Sequence, residues 1–167
     1  MRSLLLSLLL LMPFCAFAAE DTPEKAVSTL WSALSNAPGA SADLAALKRI
    51  FHKDAVIFGG RYKEGVPVVR RTTAEDFLKP YERAGEKGFY ECEISRVMQV
   101  YDRFAVAYSV VESRADKNAA APDFVGVNSV QLYKVGSQWQ VLSLYYHVEK
   151  QGLPIPLGEG RSGKCIA

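Results

Sequence analysis

The sequence predicts an α+β domain: a curved antiparallel sheet wrapped around three helices from the N-terminal half. Three observations predict it. Ahead of residue 85, apolar side chains recur at three- and four-residue spacing. From Tyr90 to Val148 they fall instead into strand-like runs separated by short polar turns. Helices that precede a block of antiparallel strands segregate to one face of the resulting sheet.

Thr22-Pro23-Glu24 opens the first helix, with Thr as N-cap, Pro at the first helical position and Glu in the first turn. Val27, Leu30, Trp31 and Leu34 form its apolar stripe, and Asn36-Ala37-Pro38-Gly39 ends it. Ser41 opens a second, short helix that buries Leu44, Leu47 and Phe51, with Ile50 flanking. Asp54-Ala55-Val56-Ile57-Phe58 is a strand stopped by Gly59-Gly60, and the stretch to Arg71 reads as irregular. Thr72 with Glu75 makes a capping box for the third helix, which turns Phe77, Leu78 and Tyr81 inward. Pro80 is placed to kink it, and Gly85 and Gly88 close it.

Four strands follow. Tyr90, Cys92, Ile94, Met98 and Val100 alternate with Glu91, Glu93, Ser95 and Gln99, which reads as one apolar and one wet face. Phe104 to Glu112 is the second strand, followed by a polar, Ala-rich loop over residues 115–123. Phe124 to Val135 is the third, and Gly136-Ser137 turns into Trp139 to Val148. That last strand is apolar on both sides: Trp139, Val141 and Tyr145 on one, Leu142, Leu144 and Tyr146 on the other. It needs cover on both. Helices supply one; a partner subunit, making a homodimer, or the Pro/Gly-rich tail of residues 151–167 supplies the other. A curved sheet over helices leaves a concave pocket, the default place for a ligand.

Residues 1–18 read as a secretory leader: Arg2, then a short Leu-rich core, then Ala16-Phe17-Ala18 ahead of the cut. The core is too short for a stable membrane anchor. Phe14 stands where a lipoprotein signal needs a small residue before Cys15. The expectation is a periplasmic or secreted chain whose domain spans residues 19–150. Removing the leader leaves about 150 residues, enough for one sizeable core. The net charge of +2 is too small for a global nucleic-acid field. Cys92 and Cys165 remain in an oxidising compartment, where they form either a disulfide or a core residue and a lone thiol. No spacing of His, Cys, Asp and Glu suits a metal, and no cofactor is expected.

Three segments carry a resemblance: Leu30-Trp31-Ser32-Ala33-Leu34, the passage Ile50-Phe51-His52-Lys53-Asp54-Ala55-Val56, and the hairpin from Ser129-Val130-Gln131-Leu132-Tyr133 through Gly136 to Trp139-Gln140-Val141. Their order and spacing resemble the nuclear transport factor 2-like superfamily, the cone-shaped, cystatin-like roll that includes ketosteroid isomerase, scytalone dehydratase and SnoaL-like polyketide cyclases. The resemblance covers nearly all of the chain after the leader and implies the fold. Set against ketosteroid isomerase, Gly59 stands at the position of the general base, and Leu30 and Asn128 at those of the oxyanion donors. Gly59 has no ionisable group and Leu30 cannot donate, so only Asn128 retains a donor. The resemblance therefore argues against that reaction.

Trp31, Tyr90, Tyr108, Asn128 and Tyr146 are the candidate pocket lining, suited to a flat, moderately polar organic ligand. Single tyrosines of this kind also serve as ordinary core packing. For an enzyme, His147 or Glu112 would be the general base, with Asn128 or a tyrosine polarising a carbonyl. By alternation, however, His147 points away from the face of Leu142, Leu144 and Tyr146. His52 and Asp54 are spaced for a local hydrogen bond. Arg61, Lys63, Arg70 and Arg71 cluster with only Glu64 opposing, and suit either an anionic ligand or headgroup near the cavity mouth or a plain solvated loop. Gly158 to Lys164 has the spacing of a phosphate-binding loop, but no helix can follow, so we read coincidence. Three functions remain open: a small-molecule binder for an apolar or amphipathic ligand, an isomerase-, dehydratase- or cyclase-type enzyme, and a homodimeric interaction module.

Overall fold

Thr22 caps the first helix as its sequence predicts, its Oγ1 accepting the Lys25 N–H at 3.2 Å. The computed structural model describes residues 21–166; the expected leader lies outside them. Helix α1 (Pro23–Leu34) buries Val27, Leu30, Trp31 and Leu34. Helix α2 (Leu44–Ile50) is capped by Asp43 rather than Ser41, because the Asp43 carboxylate reaches the Ala46 N–H at 2.9 Å. Phe51 belongs to the next strand, not to this helix.

The stretch after Phe58 is a correction to the sequence reading. Strand β1 runs from Phe51 to Lys63, and β2 from Val66 to Thr73. Glu64 and Gly65 join them in a two-residue turn with φ of 53° and 80°, the left-handed values such a hairpin requires. Gly59 and Gly60 do not stop the strand. They make room: a Cβ on Gly59 would collide with the Tyr146 hydroxyl, and one on Gly60 with the His147 ring. Helix α3 (Ala74–Leu78) is capped by Thr73, one residue later than expected, and continues as a 3-10 turn through Pro80 to Glu82.

Strands β3 (Tyr90–Tyr101), β4 (Phe104–Arg114), β5 (Phe124–Val135) and β6 (Gln138–Val148) form the expected meander. The sheet order is β2-β1-β6-β5-β4-β3. The α+β class holds, but the sheet is mixed: β1 lies parallel to β6, and every other pairing is antiparallel. Register shifts at Glu93/Ser95 and Gln131/Leu132 mark bulges, which bend strands and help curl the sheet around the helices.

The main core lies on the concave face, where Leu30, Leu47, Ile57, Val130, Leu132 and Leu144 are fully buried. A smaller cluster lies on the convex face: Cys92, Ile94 and Val110 under Ile155 and Leu157 of the tail. The tail covers this part of the sheet. Cys92 and Cys165 are joined as a disulfide with Cα atoms 5.0 Å apart, closing a loop of 73 residues. The chain-entropy relation puts such a closure at roughly 4 kcal/mol. The Gly163 N–H also donates to Glu112 Oε2 at 2.8 Å. The phosphate-loop look-alike is part of this strap, folded on itself by an Arg161–Lys164 bridge.

The faces of β3 are the reverse of the sequence reading. Cys92 and Ile94 face the tail, whereas Glu91 and Glu93 face the helices. The bulge after Glu93 then shifts the alternation, so Met98 returns to the concave core.

Candidate functional site

The concave face and the helices enclose a cavity of about 890 Å³. Helix α1 contributes Trp31 and Leu34, and α3 with its 3-10 extension contributes Phe77 and Tyr81. Phe89 enters from the loop before β3; the sheet supplies Glu91, Ser113, Asn128 and Tyr146. The rings form a continuous wall. Phe77 lies 5.5 Å from Tyr81 and 6.5 Å from Tyr146, and Phe89 lies 6.1 Å from Tyr81 and 6.5 Å from Phe124, centroid to centroid. Offset and edge contacts of this kind hold aromatic surfaces rigid.

Glu64, Glu91 and Glu149 put carboxyls in this lining, and Glu91 joins it to the β3–β4 pair. Ser113 Oγ lies 3.1 Å from both carboxyl oxygens of Glu91, directly across the β3–β4 pair. The Glu91 backbone N–H donates to Ser35 Oγ at 2.9 Å, which fixes the strand against the end of α1. Burial pushes the Glu91 carboxyl up to about 7, against the hydrogen bond from Ser113 that favours its ionised form. What exposure Glu91 keeps opens onto the cavities. Burial also raises the Tyr81 hydroxyl well above its ordinary value, with the Glu91 charge adding to the effect. A carboxyl poised near neutrality both donates and accepts hydrogen bonds, and it exchanges protons readily.

Glu93 is on the same side but is fully spent. It pairs with Arg96 and accepts from Ser109 Oγ at 2.6 Å, while Arg96 reaches the Glu24 carbonyl at 3.0 Å and Ser28 Oγ at 2.9 Å. This buried pair ties α1 to the sheet. Two further polar groups bear on the cavity. Asn128 Nδ2 donates to the Ser109 and Gly126 carbonyls at 3.3 and 3.4 Å. The donor expected of Asn128 is thus engaged by backbone. Trp31 Nε1 is buried with no hydrogen-bond partner among the described residues. At the mouth stand Arg61, Tyr62, Glu64 and Gly65 of the β1–β2 hairpin, with Lys150 over the Tyr62 ring and Gln151 next to it in sequence.

No family model matches the sequence, and no curated protein matches it. Solved structures do match the fold. A cystatin-like protein of unknown function from Nostoc punctiforme superposes with a TM-score of 0.57 at 14% identity, covering 81% of this chain and 98% of that one. A nuclear transport factor 2-like protein of unknown function from Shewanella baltica gives 0.54 at 16% identity, covering 76% and 90%. A nuclear transport factor 2-like protein from Cytophaga hutchinsonii gives 0.53 at 14% identity, covering 75% and 92%. The fold is nuclear transport factor 2-like.

On this nuclear transport factor 2-like frame the sequence-derived candidates separate. Trp31, Asn128 and Tyr146 line the cavity. Tyr90 does not; it lines a second cavity of about 500 Å³ at the β3 edge, beside the disulfide. Tyr108 is half exposed, on the convex face at the level of Val97. Glu112 is also convex, buried beneath the tail, where Arg114 Nη2 donates to it at 2.8 Å. Burial raises its pKa, but hydrogen bonds from Ser162, Gly163 and Arg114 outweigh burial and hold it below the usual carboxylate value. Glu112 is therefore a structural anion, not the base of a concave site. His147 points away from the cavity, with Nδ1 3.3 Å from the Tyr145 hydroxyl and Tyr62 edge-on to its ring at 5.6 Å. The Asp54 N–H donates to His52 Nδ1 at 3.2 Å, the local bond their spacing predicts. Gly59 does face the cavity, across from Tyr146, and Leu30 is wholly in the core.

Sequence reasoning missed Glu91, Ser113, Phe77 as a wall residue, and Phe89. A signal for Glu91 existed. A disulfide from Cys92 to the tail fixes Cys92 on the tail side, and period-two alternation then turns Glu91 the other way.

Proposed function

We propose that this is an exported domain that binds a small apolar or amphipathic molecule in its cone, with Glu91 as the polar contact. The observation that carries the reading is the cavity of about 890 Å³ walled by aromatic rings, with Glu91 in its lining held near neutrality by burial. Apolar clefts with few convergent polar groups are what small-molecule sites look like. Trp31 lines the cavity, and its buried Nε1–H has no partner among the described residues, at a cost of about 1–3 kcal/mol. Export rests on the leader and on the Cys92–Cys165 pair, since such bonds are rare in reducing compartments.

Gly126 provides the test. It lines the cavity, and a Cβ there would meet only the His147 carbonyl at 3.7 Å, an ordinary contact. Gly126→Leu should push an apolar side chain into the cavity and crowd a ligand out without disturbing the backbone. Protein purified after export should carry a small molecule in native mass spectrometry, and Gly126→Leu should arrive empty. Anilinonaphthalene sulfonate should bind the parent and be excluded from the variant. Bare parent protein, together with equal dye binding by both, would sink the reading.

A second reading has its own support. Glu91 near neutrality, facing Tyr81 and Tyr146 across an apolar space, suits proton transfer to or from a bound carbonyl compound. In that case the cone is an enzyme, and Glu91→Gln would abolish turnover while leaving dye binding intact.

A further inference from the structure

The hairpin at the cavity mouth is more than a solvated loop. Strand β1 pairs with β6 only as far as Gly60 opposite His147, so the rest of the hairpin projects past the sheet as a two-stranded ribbon. Register sorts its side chains. Gly59 faces the cavity, so its partner Arg70 and the pairs Arg61–Val68 and Lys63–Val66 share that concave side. Val69 and Arg71 take the other. Val66, Val68 and Val69 are 61%, 40% and 60% exposed. Among the described residues no carboxylate lies within ion-pair distance of Arg61, Lys63, Arg70 or Arg71. Asp76 approaches Arg70 but is held by Lys79 at 2.7 Å. Lys150 adds a cation beside the ribbon, over the Tyr62 ring.

We propose that this ribbon docks on an anionic phospholipid surface, presenting the cavity mouth to the bilayer. The chemistry fits on both counts. Exposed valines at a free tip suit the headgroup–acyl boundary, and the surrounding cations suit negative headgroups. A second copy added along the β2 edge is disfavoured by Pro67, Arg70 and Arg71 on that edge. The proposal deepens the binding reading above and rests on it in one respect: a mouth facing lipid implies a membrane-derived amphiphile inside.

Sedimentation with vesicles tests it. Purified protein should sediment with equimolar phosphatidylglycerol and phosphatidylcholine vesicles, not with pure phosphatidylcholine, and salt should release it. The pair Lys63→Gln and Arg71→Gln should weaken partitioning about 30-fold, from ~1 kcal/mol per cation near such a surface. The pair Val66→Ser and Val69→Ser should weaken it too. Neither position lines the cavity, so anilinonaphthalene sulfonate binding should persist in both variants and attest their fold. Absence of sedimentation, equal binding to both vesicles, or indifference to both pairs would overturn the proposal. So would dimers in ultracentrifugation that the serine pair dissolves. Gly126→Leu separates the two readings: an empty cone that still sediments removes the ligand and leaves the docking.

Discussion

Glu91 ties stability to proton uptake. Its folded value of about 7 stands above the ordinary 4.5, so the folded state holds a proton that the unfolded state releases. The contribution is complete below 4.5 and is lost as pH rises through about 7. Burial of this order corresponds to roughly 3 kcal/mol. Glu91→Gln should therefore be more stable than the parent above neutrality and close to it in acid, which thermal melts across that pH range would show. A parent whose melting temperature climbs with pH over this window, while the Gln variant stays flat, would contradict the assigned burial. Glu112 runs the other way. Its lowered value makes its contribution present near neutrality and lost on acidification.

At the scale of elements, the buried Glu93–Arg96 pair decides how α1 sits on the sheet. Both side chains are almost without exposure, and Arg96 reaches two groups on the helix. Removing one partner from such a pair strands a charge, at about 3–5 kcal/mol. Arg96→Leu should lower stability by that amount in denaturant melts, and adding Glu93→Leu should recover most of it. If the single variant costs less than ~1 kcal/mol, the pair behaves as a surface ion pair. The helices were legible because caps and apolar stripes are local: Thr22, Leu30, Trp31 and Leu34 stand where their spacing predicts. The meander was legible for the same reason. Strand β2 was not, since its residues 66–73 are exposed almost throughout and offer no buried face for alternation to reveal. The face of Glu91 was legible only through the Cys92–Cys165 bond, which the sequence left open against a plain core cysteine. Trp31, Asn128 and Tyr146 reached the cavity; Tyr108 and Glu112 on β4 and His147 on β6 lie across the sheet from it.

For the molecule as a whole, the strap from Gly152 onward completes a second, smaller core on the convex face. Cys165→Ser should release it, at about 2–4 kcal/mol. Hydrogen exchange should then quicken at Gly163 and Ile166, whose N–H groups are held by Glu112 and by the Glu93 carbonyl. The concave cavity should keep its dye affinity, because its main walls do not depend on the tail. Exchange left unchanged by Cys165→Ser would mean that packing of Ile155 and Leu157 holds the strap without the bond.

That tether has a bearing on biosynthesis. Its outer anchor lies 73 residues after Cys92, so the bond cannot close until the strands between them have been made. Until then Glu112 and Arg114 lack their cover. Maturation is therefore tied to an oxidant, and recombinant yield will track the thiol chemistry of the host compartment.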